Sequence, residues 1–420
     1  MTGSLEIICQ VSIESPASVY SNLNQEQPRS TSISTAELEK QQSFSSQSQP
    51  LCTVIIGAGV IGLSLAYELA LRGRRVKLID QGQIGQGSSW AGAGILPAVA
   101  THSIVDPLEQ LRSFSHELHS QWAQQLRSQT GIDTGFRRCG GLYVARSKTE
   151  AATLVANELW WREHGVISQR VYEKDISNLE PSLMPLVASG QVIAAWYLPD
   201  ECQVRNPRHL KALALACLQM GVQLCPNWAG TELIIRSNQA AIRDSSGELI
   251  PAKQICICSG AWARLHLEQM QLRSGIMPIR GQMILYRLDK PLLQRIVNEG
   301  HRYLVPRDDG RILAGSSEEE VGYRVATTPE IIDQLHVWAS GLCPALTRDK
   351  IEKTWAGLRP GSFDGLPYLG SVPGATNLFL AAGHFRAGLH LSCATAVMMA
   401  DLMDGRKPDI DLDPFRVGRG

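Results

Sequence analysis

The sequence has no excess of charge of either sign. Its 420 residues contain 40 lysines and arginines against 40 aspartates and glutamates. A balanced chain creates no overall field that would draw it onto nucleic acid or onto an anionic membrane. Neither is therefore expected as a partner, and small molecules are.

Paired cysteines are also lacking. The ten cysteines are scattered, with no C-x-x-C pair and no histidines at zinc-binding spacing, so no metal site is predicted. Cys256 and Cys258 fall in an apolar, strand-like run, where buried reduced thiols are expected. This cysteine usage suits a reducing cytoplasm, which is the expected location.

The sequence contains no segment that favours a membrane span. Residues 53–71 are the most apolar, but three glycines and Glu68 within them favour a soluble strand and helix. The Ser- and Gln-rich residues 1–50 have no apolar periodicity and no export signal, which predicts a disordered tail. A transit peptide is the minor alternative for that tail.

A glycine-rich turn follows the first apolar run, Val54–Ile56. Gly57 would permit a tight turn, Gly59 would let a pyrophosphate approach the backbone, and Gly62 would let the next helix pack closely. The N-terminus of that helix favours phosphates, and Asp80, which ends the second strand, can accept hydrogen bonds from a ribose. The order of these signals predicts a bound dinucleotide, and a glycine turn without a ligand is the alternative.

A second run of small residues extends from Gly85 to Ile95. Neither a helix nor a strand is favoured by its composition, so a loop is predicted that lets a flat ring and a pyrophosphate pass close to the backbone. A flexible surface loop is the alternative.

The middle of the chain alternates between helical and strand-like periodicity. A helix is predicted over residues 107–129, with Trp122 on its apolar face, and strands are predicted further on. The apolar runs at 303–306 and 311–314 flank Asp308-Asp309-Gly310, which predicts a hairpin in a mixed or antiparallel sheet.

The strand-then-glycine pattern of the first domain returns later, with a helix predicted over 207–220 and an apolar strand at 255–258. A chain of 420 residues with 44% hydrophobic residues can bury two cores, because single cores rarely grow beyond about 250 to 300 residues. Two domains interleaved in sequence are therefore predicted.

A second strand-to-helix turn lies near the C-terminus, where the apolar run 378–382 leads into the segment 383–388. A flavin gains negative charge at its N1 and C2-carbonyl edge on reduction, and a helix N-terminus placed there would stabilise that charge. This turn favours a flavin over a nicotinamide as the cofactor. An ordinary crossover helix is the alternative.

Together these segments resemble the glycine oxidase group of the D-amino acid oxidase-like FAD enzymes, which supply the thiazole half of thiamine. The resemblance rests on the loop at 88–95, the strand at 303–307 with Gly310-Arg311, and the motifs at 355–361 and 383–388. It implies FAD as the cofactor and an α/β fold, in which a Rossmann-like FAD-binding domain is interleaved with an α+β substrate domain on a mixed or antiparallel sheet.

The expected division assigns residues 51–138, 200–265 and 350–412 to the FAD-binding domain and residues 139–199 and 266–349 to the substrate domain. The resemblance also implies which residues bind FAD. Val204 would contact the adenine side, and residues 384–390 would surround the flavin pyrimidine. The expected cofactor-binding residues are Gly57, Gly59, Val60, Ile61, Gly62, Asp80, Gln81, Ser88, Ser89, Ala93, Gly94, Ile95, Val204, His384, Phe385, Arg386, Ala387, Gly388, Leu389 and His390.

Three residues are expected at the substrate. Arg359 matches the residue that holds the substrate carboxylate in the family, and a guanidinium fork can grip a carboxylate at two points. Arg386 would be a second cation near substrate and flavin, and Tyr303 could donate its hydroxyl to the carboxylate. The alternatives are a surface salt bridge for Arg359 and simple packing for Tyr303. The role of Glu318, downstream of Tyr303, is open.

Two residues depart from the family pattern, and no acid and base pair stands out. Ala387 stands where asparagine is common, and His390 stands where an aliphatic residue is usual. Hydride transfer from a carbon beside an amine needs orientation and a deprotonated amine more than a protein proton shuttle. Positioning is therefore expected to supply most of the catalysis.

The resemblance predicts an oxidase that converts glycine to the imine, reduces O2 to H2O2 and feeds thiazole formation. The nearest alternative is an oxidase or dehydrogenase of D-amino acids or of secondary amines such as sarcosine. The flavin domain of a tRNA-modifying enzyme is a further alternative, which the neutral net charge disfavours. The sequence is compatible with a homo-oligomer.

Overall fold

Two large β-sheets organise the described part of the chain. The structure, a computed structural model, describes residues 52–102, 104–228, 232–250, 252–272 and 274–419. The tail predicted for residues 1–50 lies outside these ranges. Within them, no helix combines the length and the apolar character needed to cross a membrane.

The strands, in chain order, are β1 (Cys52–Ile56), β2 (Val76–Ile79), β3 (Ile95–Leu96), β4 (Arg137–Arg138), β5 (Gly141–Ala145), β6 (Gln169–Val171), β7 (Ala194–Leu198), β8 (Cys202–Gln203), β9 (Gln223–Cys225), β10 (Glu232–Arg236), β11 (Gln239–Arg243), β12 (Leu249–Ile250), β13 (Ala252–Ile257), β14 (Met277–Arg287), β15 (Ile296–Glu299), β16 (Arg302–Pro306), β17 (Arg311–Gly315), β18 (Ile351–Gly361), β19 (Tyr368–Ser371) and β20 (Leu378–Ala382).

The α-helices are α1 (Val60–Leu71), α2 (Ser88–Ala91), α3 (Pro107–Thr130), α4 (Lys148–Glu163), α5 (Glu173–Leu179), α6 (Met184–Ala188), α7 (Asn206–Gln219), α8 (Ala263–Gln269), α9 (Pro329–Leu342) and α10 (Gly388–Met403). Short 3-10 helices occupy Pro181–Leu183, Gly260–Trp262, Arg348–Lys350, Phe385–Ala387 and Asp413–Phe415.

The first sheet has six strands in the order β19-β20-β13-β1-β2-β9. Its strands are parallel except β19, which pairs antiparallel with β20. Ile55 of β1 packs into the core that α1, α3, α7 and α10 cover, whereas its neighbours Val54 and Ile56 pack into the core on the opposite face. Burial on both faces explains why β1 reads as an unbroken apolar run.

The second sheet has eight strands in the order β18-β14-β17-β16-β15-β5-β7-β6. Only β15 and β5 pair in parallel, so the sheet is mixed and mostly antiparallel. Helix α9 covers one face and contributes Leu335 and Trp338 to that core. The sheet architecture and the hairpin of β16 and β17 are confirmed.

One feature differs from the sequence-based expectation. Residues Ser88–Ala91 form one helical turn inside the segment predicted to be a loop, because the tertiary contacts described below override its weak local preference. Strand β18, which follows the expected boundary at residue 350, pairs with β14 in the eight-stranded sheet. The division into domains is still a prediction. Trp122, expected in the core, is buried there.

Candidate functional site

The turn between β1 and α1 is built on glycine. Gly57 has a φ of +105°, a conformation that side chains disfavour, and a Cβ on Gly62 would lie 1.9 Å from the carbonyl oxygen of Gly57. Helix α1 therefore begins in contact with the turn. Its first amide, of Val60, donates to Ser89 Oγ at 2.8 Å. The N-terminus of α1 thus lies against the 88–95 segment, and Val60 and Ile61 are both on its first turn.

The side chain of Asp80 is fixed at the carboxyl end of β2. Its Oδ2 accepts from the amide of Ala58 at 2.7 Å, and its Oδ1 accepts from the amide of Gly82 at 2.8 Å. Burial raises the pKa of Asp80, although both amides oppose that rise. Each oxygen keeps one lone pair for a further donor, such as a ribose hydroxyl. The next residue, Gln81, is exposed.

The 88–95 segment is held by three side chains from other parts of the fold and by two further hydrogen bonds. The carbonyl of Ser89 accepts from Asn206 Nδ2 at 2.7 Å, that of Ala91 from Trp355 Nε1 at 3.0 Å, and that of Ala93 from Arg307 Nη2 at 2.6 Å. In addition, Ser88 Oγ donates to the carbonyl of Leu358, and Gly94 accepts from the buried Val204 at 2.8 Å. This set of bonds argues against a freely flexible surface loop. The segment ends where Ile95 pairs with Gln203.

The second strand-to-helix turn connects β20 to α10. Gly383 and Phe385 both have positive φ angles, of 82° and 47°. The His384 ring points into the protein, where Nε2 is 3.2 Å from Thr395 Oγ1, and burial lowers its pKa to about 3. A ligand at this turn would therefore meet the backbone of His384 and not its ring, so the geometry assigns the ring no acid or base role.

The residues that follow this turn have different surroundings. Gly388 starts α10, after Ala387. The half-buried Leu389 packs against Val204 and Leu96, and the ring of His390 is buried beside those of His116 and His119. The His390 side chain is therefore directed into the helix layer, where it lies beside two other imidazoles and its Nε2 has no hydrogen-bond partner among the described residues.

Arg359 lies on β18, opposite Ile279 of β14. Its Nη2 donates to Ser316 Oγ at 2.7 Å and its Nη1 donates to the carbonyl of Ser317 at 3.1 Å. A Cβ on Gly281 would lie 2.2 Å from Nη2, so the missing side chain is what lets the guanidinium cross β14. Burial lowers the pKa of Arg359, and no carboxylate forms an ion pair with it in the part of the chain that the structure describes.

Tyr303 and Arg386 lie near Arg359. The Tyr303 hydroxyl donates to Ser316 Oγ at 3.2 Å, so Ser316 connects it to Arg359. Arg386 donates from Nη1 to Glu318 Oε1 at 2.9 Å and from Nη2 to the carbonyl of His301 at 2.8 Å. Their charges also interact, because Tyr303 and Glu318 raise the pKa of Arg359 whereas Arg386 lowers it. The three predicted substrate residues are thus brought together.

Several residues of the site were not expected from the sequence. Ser316 and Ser317 hold Arg359, Gly281 makes room for it, and Asn206 fixes the carbonyl of Ser89. The serines directly follow β17, but a polar pair after a strand has many uses and does not by itself identify its partner. No local pattern marks Gly281 or Asn206, because each acts on a residue far away in sequence.

The residues present fit FAD. The glycine turn at α1 and the helix N-terminus suit a pyrophosphate, and the lone pairs of Asp80 suit a ribose. The turn before α10 offers backbone groups and a helix N-terminus to the polar edge of a flavin. Within the described ranges, no group of histidine, cysteine and acidic side chains is arranged to hold a metal ion.

The mostly parallel six-stranded sheet and its glycine turn are typical of a dinucleotide-binding enzyme. A family model described as FAD dependent oxidoreductase matches residues 53–402. The chain therefore belongs to the family of FAD-dependent oxidoreductases, which confirms the predicted enzyme class and cofactor.

The chain is similar in sequence and structure to individual members of this family. The chain is 34% identical to a glycine oxidase of Geobacillus kaustophilus over 369 residues, 87% of this chain and 96% of that protein. The crystal structure of glycine oxidase from that organism superposes with a TM-score of 0.82 at 32% identity and covers 88% of this chain and 98% of that one. The chain is also 31% identical to the Bifunctional protein ThiO/ThiG of Trichormus variabilis, over 87% of this chain and 54% of that protein.

Proposed function

We propose that this enzyme oxidises a small amino acid, glycine first, to the imine and reduces O2 to H2O2. The observation that carries the proposal is Arg359, a largely buried guanidinium that is bound by Ser316 and Ser317 through neutral oxygens and lies beside the hydroxyl of Tyr303. A buried cation without a carboxylate partner is costly. The carboxylate of a substrate would compensate its charge and accept two hydrogen bonds.

The chain binds and orients the substrate, and FAD, held at the turns before α1 and α10, would supply the two-electron oxidation of the amine and pass the electrons to oxygen. Overall, the amine loses one C–H and one N–H bond, a C=N bond forms, and O2 gains two electrons and two protons. Arg359 fixes one end of a small amino acid, and Tyr303 can donate to the same carboxylate. Such orientation supplies a large share of the rate enhancement in reactions of this type.

The likeness to glycine oxidases supports glycine as the substrate, and the resemblance to enzymes that make the thiazole half of thiamine supports that pathway. We further place the enzyme in the cytoplasm. This location is supported by the nine cysteines of the described ranges, all of which are free, because thiols stay reduced in that compartment.

An anaerobic substrate screen tests the proposal. Purified holoenzyme is mixed with glycine, sarcosine or small D-amino acids without oxygen, and the flavin absorbance is followed. Glycine is expected to bleach the flavin, and readmitted oxygen is expected to yield one H2O2 per amine oxidised. If none of these amino acids reduces the flavin, the substrate class is wrong. Reduction without peroxide would instead indicate a dehydrogenase.

A further inference from the structure

Arg386 is neutralised by an acidic residue of this chain. Its Nη1 donates to Glu318 Oε1 at 2.9 Å, and the side chains of Arg386 and Glu318 are 33% and 38% exposed. The other end of the guanidinium donates to the carbonyl of His301 at 2.8 Å. The cation is therefore held at both ends, by one charged and one neutral acceptor.

This pair lies near Arg359, in the proposed substrate pocket. Glu318 is two residues beyond Ser316, which accepts from Arg359 at 2.7 Å, and the 3-10 helix that carries Arg386 is in contact with β18. The charges of both Glu318 and Arg386 act on the Arg359 guanidinium. A ligand carboxylate bound to Arg359 would therefore interact with both members of the pair.

The charges of the pocket leave one cation uncompensated. Arg386 and Glu318 together contribute no net charge, whereas Arg359 has no carboxylate in contact within the described ranges. A pocket with one free cation matches one carboxylate. A second carboxylate on the substrate would have to displace Glu318 from Arg386 or lie beside the Glu318 carboxylate, and a like-charge contact is unfavourable.

We propose that Glu318 determines specificity by occupying Arg386, so that the enzyme accepts small amino acids with one carboxylate and rejects amines that carry two. This inference rests on the proposed function, because it names the substrate class of the same site. Glu318 acts through Arg386 and through charge repulsion.

The neighbouring acidic residues have other surroundings. Glu319 accepts from Arg280, Gln282 and Ser317, so it holds β14 to the 316–319 segment. Glu320 is exposed and its side chain makes no hydrogen bond or ion pair with a described residue, so Glu320→Gln removes the same charge two residues away without touching the pair. Glu318 is partly exposed as well, and exposed ion pairs stabilise folds little. Glu318→Gln is therefore expected to fold.

The first test compares two N-substituted glycines in air-saturated holoenzyme. Sarcosine carries a neutral methyl group on the amine, and iminodiacetate carries a second carboxylate there. Glu318→Gln is expected to raise the kcat/KM ratio of iminodiacetate to sarcosine by at least about fivefold, since removing a nearby like charge and freeing a cation both favour the second carboxylate. Glu320→Gln should leave the ratio unchanged, and Glu318→Gln/Arg386→Gln should lose the gain.

The second test does not depend on turnover. Diglycolate and methoxyacetate have an ether oxygen in place of the amine, and their binding to holoenzyme is measured from the change in flavin absorbance. The ratio of their dissociation constants should shift toward diglycolate in Glu318→Gln, again by at least about fivefold. An unchanged ratio, or an equal shift in Glu320→Gln, overturns the inference. A wild-type enzyme that binds these acids but oxidises no amino acid would overturn the proposed function alone.

Discussion

Arg359 combines burial with the absence of a carboxylate partner, and this combination distinguishes it from most arginines of the chain. Arg72 and Arg311, for example, each bind acidic side chains directly. The Arg359 guanidinium instead donates hydrogen bonds to Ser316 Oγ and to the carbonyl of Ser317. Both are neutral acceptors, so the charge itself is left for a ligand, and a carboxylate satisfies it better than any neutral group.

Replacing Arg359 is expected to separate substrate binding from cofactor binding. Arg359→Ala should raise the KM for glycine by about 100-fold, because it removes a charge-assisted, two-point contact. The KM of Arg359→Lys should fall between those of wild type and Arg359→Ala, since an ammonium offers one point charge. Steady-state kinetics gives KM, and the absorbance ratio of flavin to protein gives the FAD content, which should match wild type. An unchanged KM in Arg359→Ala would remove its assigned role.

The sequence predicted part of this constellation, for a physical reason. Arg359 and Tyr303 lie in motifs whose residue types suggest their chemistry. Ser316 could not be assigned, because a serine after a strand has many uses until its partner is known. The role of Gly281 could not be predicted either, since it leaves space for the side chain of Arg359, 78 positions later on the paired strand.

At the scale of elements, the two strand-to-helix turns both contain glycines but differ in how much space they leave for a side chain. The turn at α1 is crowded, because the helix packs directly on the carbonyl of Gly57. The turn before α10 is looser: a Cβ on Gly388 would lie 3.5 Å from the His384 Cβ, an ordinary contact. The first turn therefore depends on glycine more strictly than the second.

Gly62→Ala is expected to weaken FAD binding. Its Cβ would lie 1.9 Å from Gly57 O, so α1 must move away from the turn, and overpacking of this kind costs about 1–3 kcal/mol. Apoprotein titrated with FAD, followed by quenching of flavin fluorescence, should show at least about a fivefold higher dissociation constant.

Gly341→Ala is the matched control for this change. Gly341 lies inside α9, and the nearest atom to its Cβ would be Arg146 Nη1 at 3.7 Å. This variant should bind FAD as wild type does, and it should gain slightly in stability because alanine favours helices. Wild-type affinity in Gly62→Ala would show that the turn can relax without cost.

Elements were predictable where one signal was local and strong. The hairpin of β16 and β17 has a turn sequence and two apolar flanks, so its pairing could be expected. Helix α2 could not, because its four residues become helical only when Asn206, Trp355 and Arg307 bind the carbonyls around it. The pairing of β18 had no local signal either, since its partner β14 is distant in sequence.

At the scale of the whole molecule, the two large sheets meet at the 88–95 segment. Arg307, next to β16, donates to Ala93, and Trp355 of β18 donates to Ala91. Both donors extend from the eight-stranded sheet, while Ser89 accepts from the first amide of α1. Hydrogen bonds therefore connect the 88–95 segment, proposed to bind the cofactor, to the strand that carries Arg359, proposed to bind the substrate.

The helix layer over the six-stranded sheet buries three histidines from three helices, and this burial makes the stability of the molecule depend on pH. Burial lowers the pKa of His119 to about 4 and that of His209 to about 3, and it also lowers that of His390. Both ring nitrogens of His209 lack a hydrogen-bond partner among the described residues.

These histidines stay neutral in the folded protein and become protonated in the unfolded chain below about pH 6.5, so the stability that they allow is present above that pH and lost as the pH falls toward 4. Between about pH 8 and about pH 5.5, His119 and His209 should each lower the free energy of unfolding by about 1.4 kcal/mol. Urea unfolding of the holoenzyme at both pH values measures the loss. His209→Gln should make it smaller by that amount, whereas His102→Gln, at an exposed position, should leave it unchanged. A glutamine takes up no proton in either state and contributes nothing to the pH dependence. An equal loss in wild type and His209→Gln would therefore mean that His209 does not contribute to the pH dependence of stability.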